Sequence, residues 1–529
     1  MLYSDKHKVI LYDSPDVQRI LAVIPEARPI NGHAVVVPHD LRNMQIMRYL
    51  GYPAYSPILT DYDWPRNPFK VPNPFAHQLQ MSAFMTLHPR CFNLSEMRTG
   101  KTMATLWAVD YLMKLGYIKK ALILSPLSTI YRVWENEIRN NFLSRRVHRV
   151  LYGSRDERLH AFDSGADFYV CNHDGLGVGS SKSNRGMVIG DLAAAIKQDP
   201  ELNCVIVDEG SVYKDSGTNR YKVLRQVISD KPYVYWLTGT PTPVEPTNAW
   251  SQARAVRKDY TESQVAFRDR TMMRISQFKW VPKREGPQIA AQILQPAIRF
   301  TRAECFGKET PQLETYDVEL SAPQKKAYEQ MKQELRTQVG AGVINAVNEA
   351  TLRTKLLQIV CGAVYGPDHE VHRIDCAPRL EALEDIVSEA ARKIIVFAPL
   401  TSVVNLLYHE LSKHYTVERI TGNVSAKKRN DVFQRFCETD HPRIIVADPG
   451  CMAHGLDLSA ADTIVWFGPT DKPEIYQQAN ARIEGPKQKN QMLIVRLAAT
   501  AIEREAYRRL DTREKMQGLI LTMIKDGLV

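Results

Sequence analysis

The sequence predicts an α/β fold: two parallel-sheet domains in tandem, a helical insertion between them and a small α/β accessory domain in front. Three observations predict it. Short apolar runs alternate with helical patterns from about residue 74 to residue 257, and each run ends in a polar or glycine-containing turn. A helical stretch follows, and after it comes a second series of the same kind. Apolar strands that end at chemically active residues, with helices between them, describe a parallel sheet whose functional loops lie at the strands' carboxyl ends.

Residues 1–72 form the accessory unit: "HAVVVPHD" (33–40) reads as a buried strand ended by proline, and "LRNMQIMRYLGY" (41–52) as an amphipathic helix ended by Gly51. Its boundary is "DWPRNPFKVPNPF" (63–75), where four prolines in thirteen residues mark a linker. In residues 73–257 the strands are "ALILSP" (121–126), "FYVCNHD" (168–174), "CVIVDEG" (204–210) and "VYWLTGTP" (234–241). Residues 258–365 are basic and irregular at first, then helical through "SAPQKKAYEQMKQELRTQV" (321–339) and "LRTKLLQIVCGAVY" (352–365). In residues 366–529 the strands are "KIIVFAP" (393–399), "YTVERITG" (415–422), "RIIVADPG" (443–450), "DTIVWFGP" (462–469) and "QMLIVRL" (491–497).

At 529 residues the chain exceeds what one hydrophobic core organises. Its 44% hydrophobic and 24% charged content is ordinary for a globular protein. A net charge of +10 points to a polyanionic partner, nucleic acid before membrane surface, with solubility as the plainer reading. The eight cysteines are scattered without a C-x-x-C pair, which argues against a zinc site or disulfide framework and predicts a reducing compartment. The first sixteen residues lack the apolar core of a signal peptide, and no apolar run nears the roughly 18 residues of a membrane span. A soluble, cytoplasmic protein, expected to be a monomer and not membrane-bound, is the prediction.

The chemistry begins at "SEMRTGKT" (95–102). A phosphate loop needs backbone N–H groups lining a concavity, a lysine for the outer phosphates and a hydroxyl for Mg²⁺. Gly100, Lys101 and Thr102 supply the last three positions of G-x-x-x-x-G-K-[ST], while Ser95 stands where the pattern wants its first glycine. The plainer reading is a helix start without a ligand. Asp208-Glu209 follows a strand, where one carboxylate can hold Mg²⁺ and its neighbour polarise water; alternatively it caps a helix. "LTGTP" (237–241) again ends a strand, with Thr238 and Thr240 carrying hydroxyls and Gly239 and Pro241 shaping the turn.

In order along the chain stand "FAHQ" (75–78), "EMRTGKT" (96–102), "LSP" (124–126), "DEGS" (208–211), "LTGTP", "HGLDLSAAD" (454–462) and "QANARIEGPKQ" (478–488). This succession resembles superfamily 2 helicases. It is most similar to the Swi/Snf-like DNA translocases, particularly compact ones encoded by bacteriophages, over about residues 74 to 510. The resemblance implies two RecA-like domains, ATP and Mg²⁺ as cofactors, and DNA (duplex, forked or branched) as partner, in a bacterial host's cytoplasm if phage-encoded. It implies that Gln78 reads adenine, that Arg98, Thr99, Gly100, Lys101 and Thr102 contact the phosphates, and that Thr102 and Asp208 hold the metal. Glu209 would activate water, and Gly455, Asp457 and Arg482 would close the second domain over ATP.

Three departures stand out. Arg98 and Thr99 replace a frequent Gly-Leu, Ser211 replaces a frequent histidine, and Gly485 stands where a second arginine is usual, three residues after Arg482. Arg482 is thereby expected as the single essential finger, with Lys487 or a nearby lysine as an imperfect substitute for the missing one.

For nucleic-acid contact the candidate loops are "SPLSTIYRVW" (125–134), "NHDG" (172–175), "TGN" (421–423) and "DPGCMAHG" (448–455), with Ser125, Asn172, Thr421 and Gly422 as contacts; each also reads as a solvated turn. In "RTMMRISQFKWVPKREG" (270–286), Trp280 and Lys283 suit a base stack and a phosphate, or Trp280 packs the segment down. The accessory unit is loosely similar to HARP-type modules that accompany annealing and fork-remodelling translocases; it reads DNA structure or only caps the motor. The expected function is an ATP-dependent DNA translocase or helicase that remodels branched or duplex DNA by branch migration, fork regression or unwinding, in replication, recombination or repair. The rivals are an ATP-gated DNA clamp with weak hydrolysis, a transcription or packaging regulator, and an RNA helicase.

Overall fold

A computed structural model of the chain describes residues 2–13, 16–66, 73–183, 186–276, 279–307, 311–340, 354–365, 370–452, 458–484, 488 and 490–525. The chain divides into two compact units, Met1–Cys305 with Met516–Val529, and Phe306–Lys515.

The first unit is built on a seven-stranded sheet in the order Ala297–Ile298, Arg90–Asn93, Tyr233–Leu237, Leu202–Val207, Lys120–Ser125, Phe168–Asn172, His148–Leu151. Every pairing in it is parallel. The central strands are covered on both faces, so they read as unbroken apolar runs. Successive side chains point to opposite faces: Cys204 and Ile206 enter one core cluster, Val205 and Val207 the other. Ile520, Leu521 and Ile524, near the chain's end, join the second of these clusters.

The accessory unit is a four-stranded antiparallel sheet in the order Leu2–Ser4, Val9–Asp13, Ala34–Pro38, Arg28–Asn31. Val35 and Val37 alternate inward, and Asp40 caps the helix Leu41–Tyr49 by accepting the Asn43 N–H at 2.9 Å. Gly51 ends that helix with φ of +90°, the left-handed region where glycine is unstrained. This sheet has no separate core. Met44, Met47 and Val37 belong to one cluster with Leu106, Trp107 and Leu112 of the helix Lys101–Lys114. Polar ties reinforce the seam: Gln45 Nε2 donates to the Thr86 carbonyl at 2.8 Å, and the Tyr62 hydroxyl to Asp110 at 2.7 Å.

Residues 258–365 contain two edge strands that no alternation announces. Ala297–Ile298 pairs with Arg90–Asn93 in the first sheet, and Gln312–Asp317 pairs with Leu493–Ala498 in the second. The former is two residues long and the latter is exposed at every position, so neither carries an apolar signature. Of the expected helical part, Ala322–Gly340 is a helix, whereas the end of the second stretch, Ala363–Tyr365, is a strand paired with Val371–Arg373.

The second unit has a six-stranded, all-parallel sheet in the order Gln312–Asp317, Leu493–Ala498, Ala461–Trp466, Lys393–Phe397, Ile444–Ala447, Val417–Ile420. Ile394 and Val396 enter one core cluster, Ile395 and Phe397 the other. Two parallel-sheet domains in tandem, with helices over both faces, are the architecture the apolar runs predicted. Among the described residues no helix is long and apolar enough to cross a membrane.

Candidate active site

In the first sheet the neighbouring strands Arg90–Asn93, Tyr233–Leu237 and Leu202–Val207 run parallel, so the residues that follow them emerge at one pole. Those residues are Ser95–Thr102, Thr238–Pro241 and Asp208-Glu209. Stretches far apart in the sequence thus meet. Gly239 lies against the phosphate loop, where a Cβ built on it would be 3.5 Å from the Ser95 carbonyl and 3.6 Å from the Met97 nitrogen.

The loop explains its own missing glycine. Ser95 is fully buried, and its hydroxyl accepts the Phe300 N–H at 3.1 Å. Glu96 is held by Arg299 (3.3 Å) and by the Arg302 N–H (3.0 Å). A serine here binds the loop to the segment beyond the edge strand, a role glycine has no side chain to perform. The left-handed turns fall later, at Arg98 (φ 65°) and at Gly100 (φ 82°), which opens the helix beginning at Lys101. Gly100 has a second reason to be glycine: a Cβ there would sit 2.1 Å from Gln78 Nε2, which lies over it and faces the Gly100 carbonyl at 3.4 Å. Next to Gln78, the His77 ring bonds the Thr99 carbonyl at 2.9 Å.

Lys101 is folded into its own loop, its ammonium donating to the carbonyls of Ser95 (2.7 Å) and Glu96 (2.9 Å). Burial pushes its pKa down, opposed by the charges of Glu209, Asp208 and Glu96. Asp208 is raised by burial, opposed by a hydrogen bond from Trp134 and by the charge of Lys101. The Trp134 indole N–H donates to Asp208 Oδ2 at 2.8 Å, and the Glu209 N–H to Oδ1 at 3.1 Å. Glu209 itself has φ of 49°, a strained setting for a non-glycine residue of the kind that clusters at functional sites. Gly210 is required by packing: a Cβ would be 2.0 Å from Trp236 Nε1. The hydroxyls of Thr240 and Thr242 are buried without a hydrogen-bond partner, which buried polar atoms seldom tolerate unless something else comes to meet them.

Trp134, through its hydrogen bond to Asp208, is a residue of this candidate site that sequence reasoning missed, since "SPLSTIYRVW" draws notice for its hydroxyls. It is fully buried on a π-helical turn, Ile130–Glu135, that begins five residues after Ser125. A buried indole must find an acceptor for its N–H, and that need is the signal that points to it.

The other expected site residues are placed as follows. Ser125 is fully buried, its hydroxyl accepting from Thr129 at 3.1 Å. The Asn172 amide oxygen accepts from Arg158 at 3.2 Å. Both loops follow adjacent strands of the first sheet, but both side chains are engaged inward. Arg268 lies over the Trp280 ring at 4.3 Å, and Lys283 Nζ donates to the Asp269 carbonyl at 2.6 Å, so Trp280 serves as a packing face for its own segment. In the second unit Thr421 is buried and Gly422 exposed, directly after the strand Val417–Ile420. Arg482 follows the helix Pro473–Asn480 and is buried, its carbonyl accepting the Leu458 N–H at 3.0 Å. Gln488 holds that stretch by donating to the carbonyls of Ala461 (2.8 Å) and Ile483 (3.1 Å). Gly455, Asp457, Gly485 and Lys487 lie outside the described residues.

Residues 87–363 match the SNF2-related domain, and residues 378–484 the helicase conserved C-terminal domain. The chain belongs to the SNF2-related family. As a member with both helicase domains it is an ATP hydrolase of the helicase class. It is 26% identical over 460 residues to putative protein p41 of Acyrthosiphon pisum secondary endosymbiont phage 1, covering 81% of this chain and 94% of that one. It is 24% identical over 474 residues to human chromodomain-helicase-DNA-binding protein 6, covering 82% of this chain and 17% of that one. A Sulfolobus solfataricus SWI2/SNF2 ATPase core solved with dsDNA aligns over 87% of this chain and 95% of its own at 18% identity, with a TM-score of 0.39.

Proposed function

We propose that this SNF2-related ATPase is an ATP-driven DNA translocase that remodels duplex or branched DNA. The observation that carries the reading is the convergence of Lys101, Asp208-Glu209 and Thr238–Pro241 at one pole of the first sheet. The second sheet domain carries Arg482, which follows the helix Pro473–Asn480.

The residues fit a nucleotide with Mg²⁺. Thr102 and Asp208 supply the hard oxygen donors that Mg²⁺ takes alongside phosphates and water. Gly100 turns the loop through the left-handed region at the start of the helix, and Thr240 and Thr242 keep hydroxyls unmatched. Mg²⁺ would neutralise charge developing on the phosphates. Lys101 would exchange its two carbonyl acceptors for phosphate oxygens, and Arg98 and Thr99 would flank them. Glu209 would orient and deprotonate the attacking water, and Gln78 would read the base. Arg482, with Gly455 and Asp457 from the same unit, would complete the site and stabilise charge on the transferred phosphoryl group.

DNA would cross the strand-end loops, contacted at its phosphates through backbone N–H groups where Ser125 and Asn172 face inward, and through Thr421 and Gly422 in the second unit. The accessory sheet, sharing the motor's core, would read DNA shape, and the motor would work as a monomer. The test is phosphate release with no nucleic acid, single-stranded DNA, duplex, fork, four-way junction and RNA, with Lys101→Ala as control. Stimulation by duplex or branched DNA that the control abolishes supports the proposal. Tight ATP-dependent DNA binding without turnover would make the protein a clamp, and stimulation by RNA alone would overturn the DNA assignment.

A further inference from the structure

The first unit carries charge that its ATP site does not use. Arg90 opens its strand and Gln295 precedes the strand Ala297–Ile298, so both sit at the pole of the sheet away from the phosphate loop. There they line an open cavity of about 830 Å³ with Arg257 and Lys258, which follow the helix Asn248–Val256, and with Arg48 from the accessory helix Leu41–Tyr49. Among the described residues, four cations and one carboxylate, Asp259, line it.

The four are not equivalent. Arg90 is saturated by backbone, its guanidinium donating to the carbonyls of Val256 (2.5 Å) and Ala255 (2.8 Å), among others. It charges the wall without offering a free fork. Arg257 is bound to Asp259 at 2.6 Å. Lys258 is exposed, with no ion pair among the described residues. Arg48 is half-buried, and its Nε is shut off from solvent without a hydrogen-bond partner. Among the described residues no carboxylate pairs with it, and burial lowers its pKa. Its neighbour His88 gives no compensation, held neutral by burial and by Arg48 itself. An N–H closed off from water without an acceptor is a cost that a bound oxygen relieves. A cavity walled by such a group is built for an anion.

Its width and wide mouth suit phosphates on a passing chain better than a small enclosed ligand, and the net charge of +10 favours a polyanion. We propose that this cavity is a second nucleic-acid contact, in which Arg48 and Lys258 take backbone phosphates of DNA at the pole opposite the ATP loops. The inference rests on DNA being the partner, as the proposed function has it. It adds that the accessory helix and the motor share one phosphate site.

The test is duplex binding by fluorescence anisotropy from low to high salt, for the full chain and for Lys258→Glu and Arg48→Gln, singly and together. Removing one cation from a DNA phosphate lowers the slope of log K against log salt by about 0.9. The double variant should show a slope lower by about one to two, about tenfold weaker duplex binding near 0.1 M salt, and unchanged ADP affinity and DNA-free ATP turnover. Lys258 is exposed, so its variant keeps the test valid if Arg48→Gln fails to fold. Wild-type affinity and slope in a folded Lys258→Glu/Arg48→Gln would overturn the inference. So would stabilisation of the wild type, but not the variant, by millimolar inorganic phosphate with the DNA slope unchanged, since the site then holds a free anion. No DNA binding by the wild type would instead defeat the proposed function.

Discussion

The two parallel-sheet units share a fold and differ in how they hold their chemistry. In the first, the reactive groups are locked to one another: Lys101 bonds its own loop, Trp134 holds Asp208, and Glu96 is clamped by Arg299. In the second, the described chemistry narrows to Arg482, set after a helix and fixed through backbone by Leu458. On the proposed function this difference separates two tasks. The first unit binds a nucleotide by exchanging internal hydrogen bonds for phosphate contacts, and the second adds the cation that hydrolysis needs. A motor whose binding and hydrolysis depend on different bodies can couple closure to chemistry.

The comparison breaks most visibly at Arg482. Arg482→Ala should lower DNA-stimulated turnover by about 10³–10⁵ while sparing ADP affinity; Lys101→Ala should weaken nucleotide binding itself. Equal effects of both variants on affinity, measured with a fluorescent nucleotide, would erase the division of labour.

The glycines sharpen it next. Gly210→Ala forces a Cβ to 2.0 Å from Trp236 Nε1 and should destabilise the first unit by about 1–3 kcal/mol in urea melts. Gly422→Ala meets nothing within 4 Å in the second unit and should be nearly neutral.

His88 gives the first unit a pH signature. Burial, with Arg48 alongside, lowers its pKa to about 4. Folding therefore excludes a proton that the unfolded imidazole accepts below about pH 6.5, and stability falls as pH drops from there toward 4. The loss at pH 5 should be about 2 kcal/mol, and His88→Gln should remove it. An unchanged pH profile in that variant would contradict the assignment.

The smallest effect concerns Trp134. Trp134→Phe keeps an aromatic ring and deletes the donor to Asp208, so Mg²⁺ half-saturation should weaken about tenfold. Mg²⁺-free ADP affinity should not change, which separates this role from simple packing.

Much of this was legible in the sequence because doubly buried strands write themselves as apolar runs and parallel topology puts their sequels at one pole. Asp208 and Lys101 needed no coordinates to be brought together. What stayed hidden depends on where side chains turn. Ser95 looked like a defect and is a tether to Phe300. Ser125 and Asn172 looked available and are engaged inward. The strand Gln312–Asp317 is exposed throughout, so no alternation could disclose it. Arg48 was one cation among many until burial singled it out.

The most direct test of translocation is displacement of a third strand from a triplex, placed on a duplex away from any fork. The account predicts displacement with ATP, and none with a non-hydrolysable analogue, with Lys101→Ala or with Arg482→Ala. Vigorous duplex-stimulated hydrolysis that never displaces the strand would contradict it.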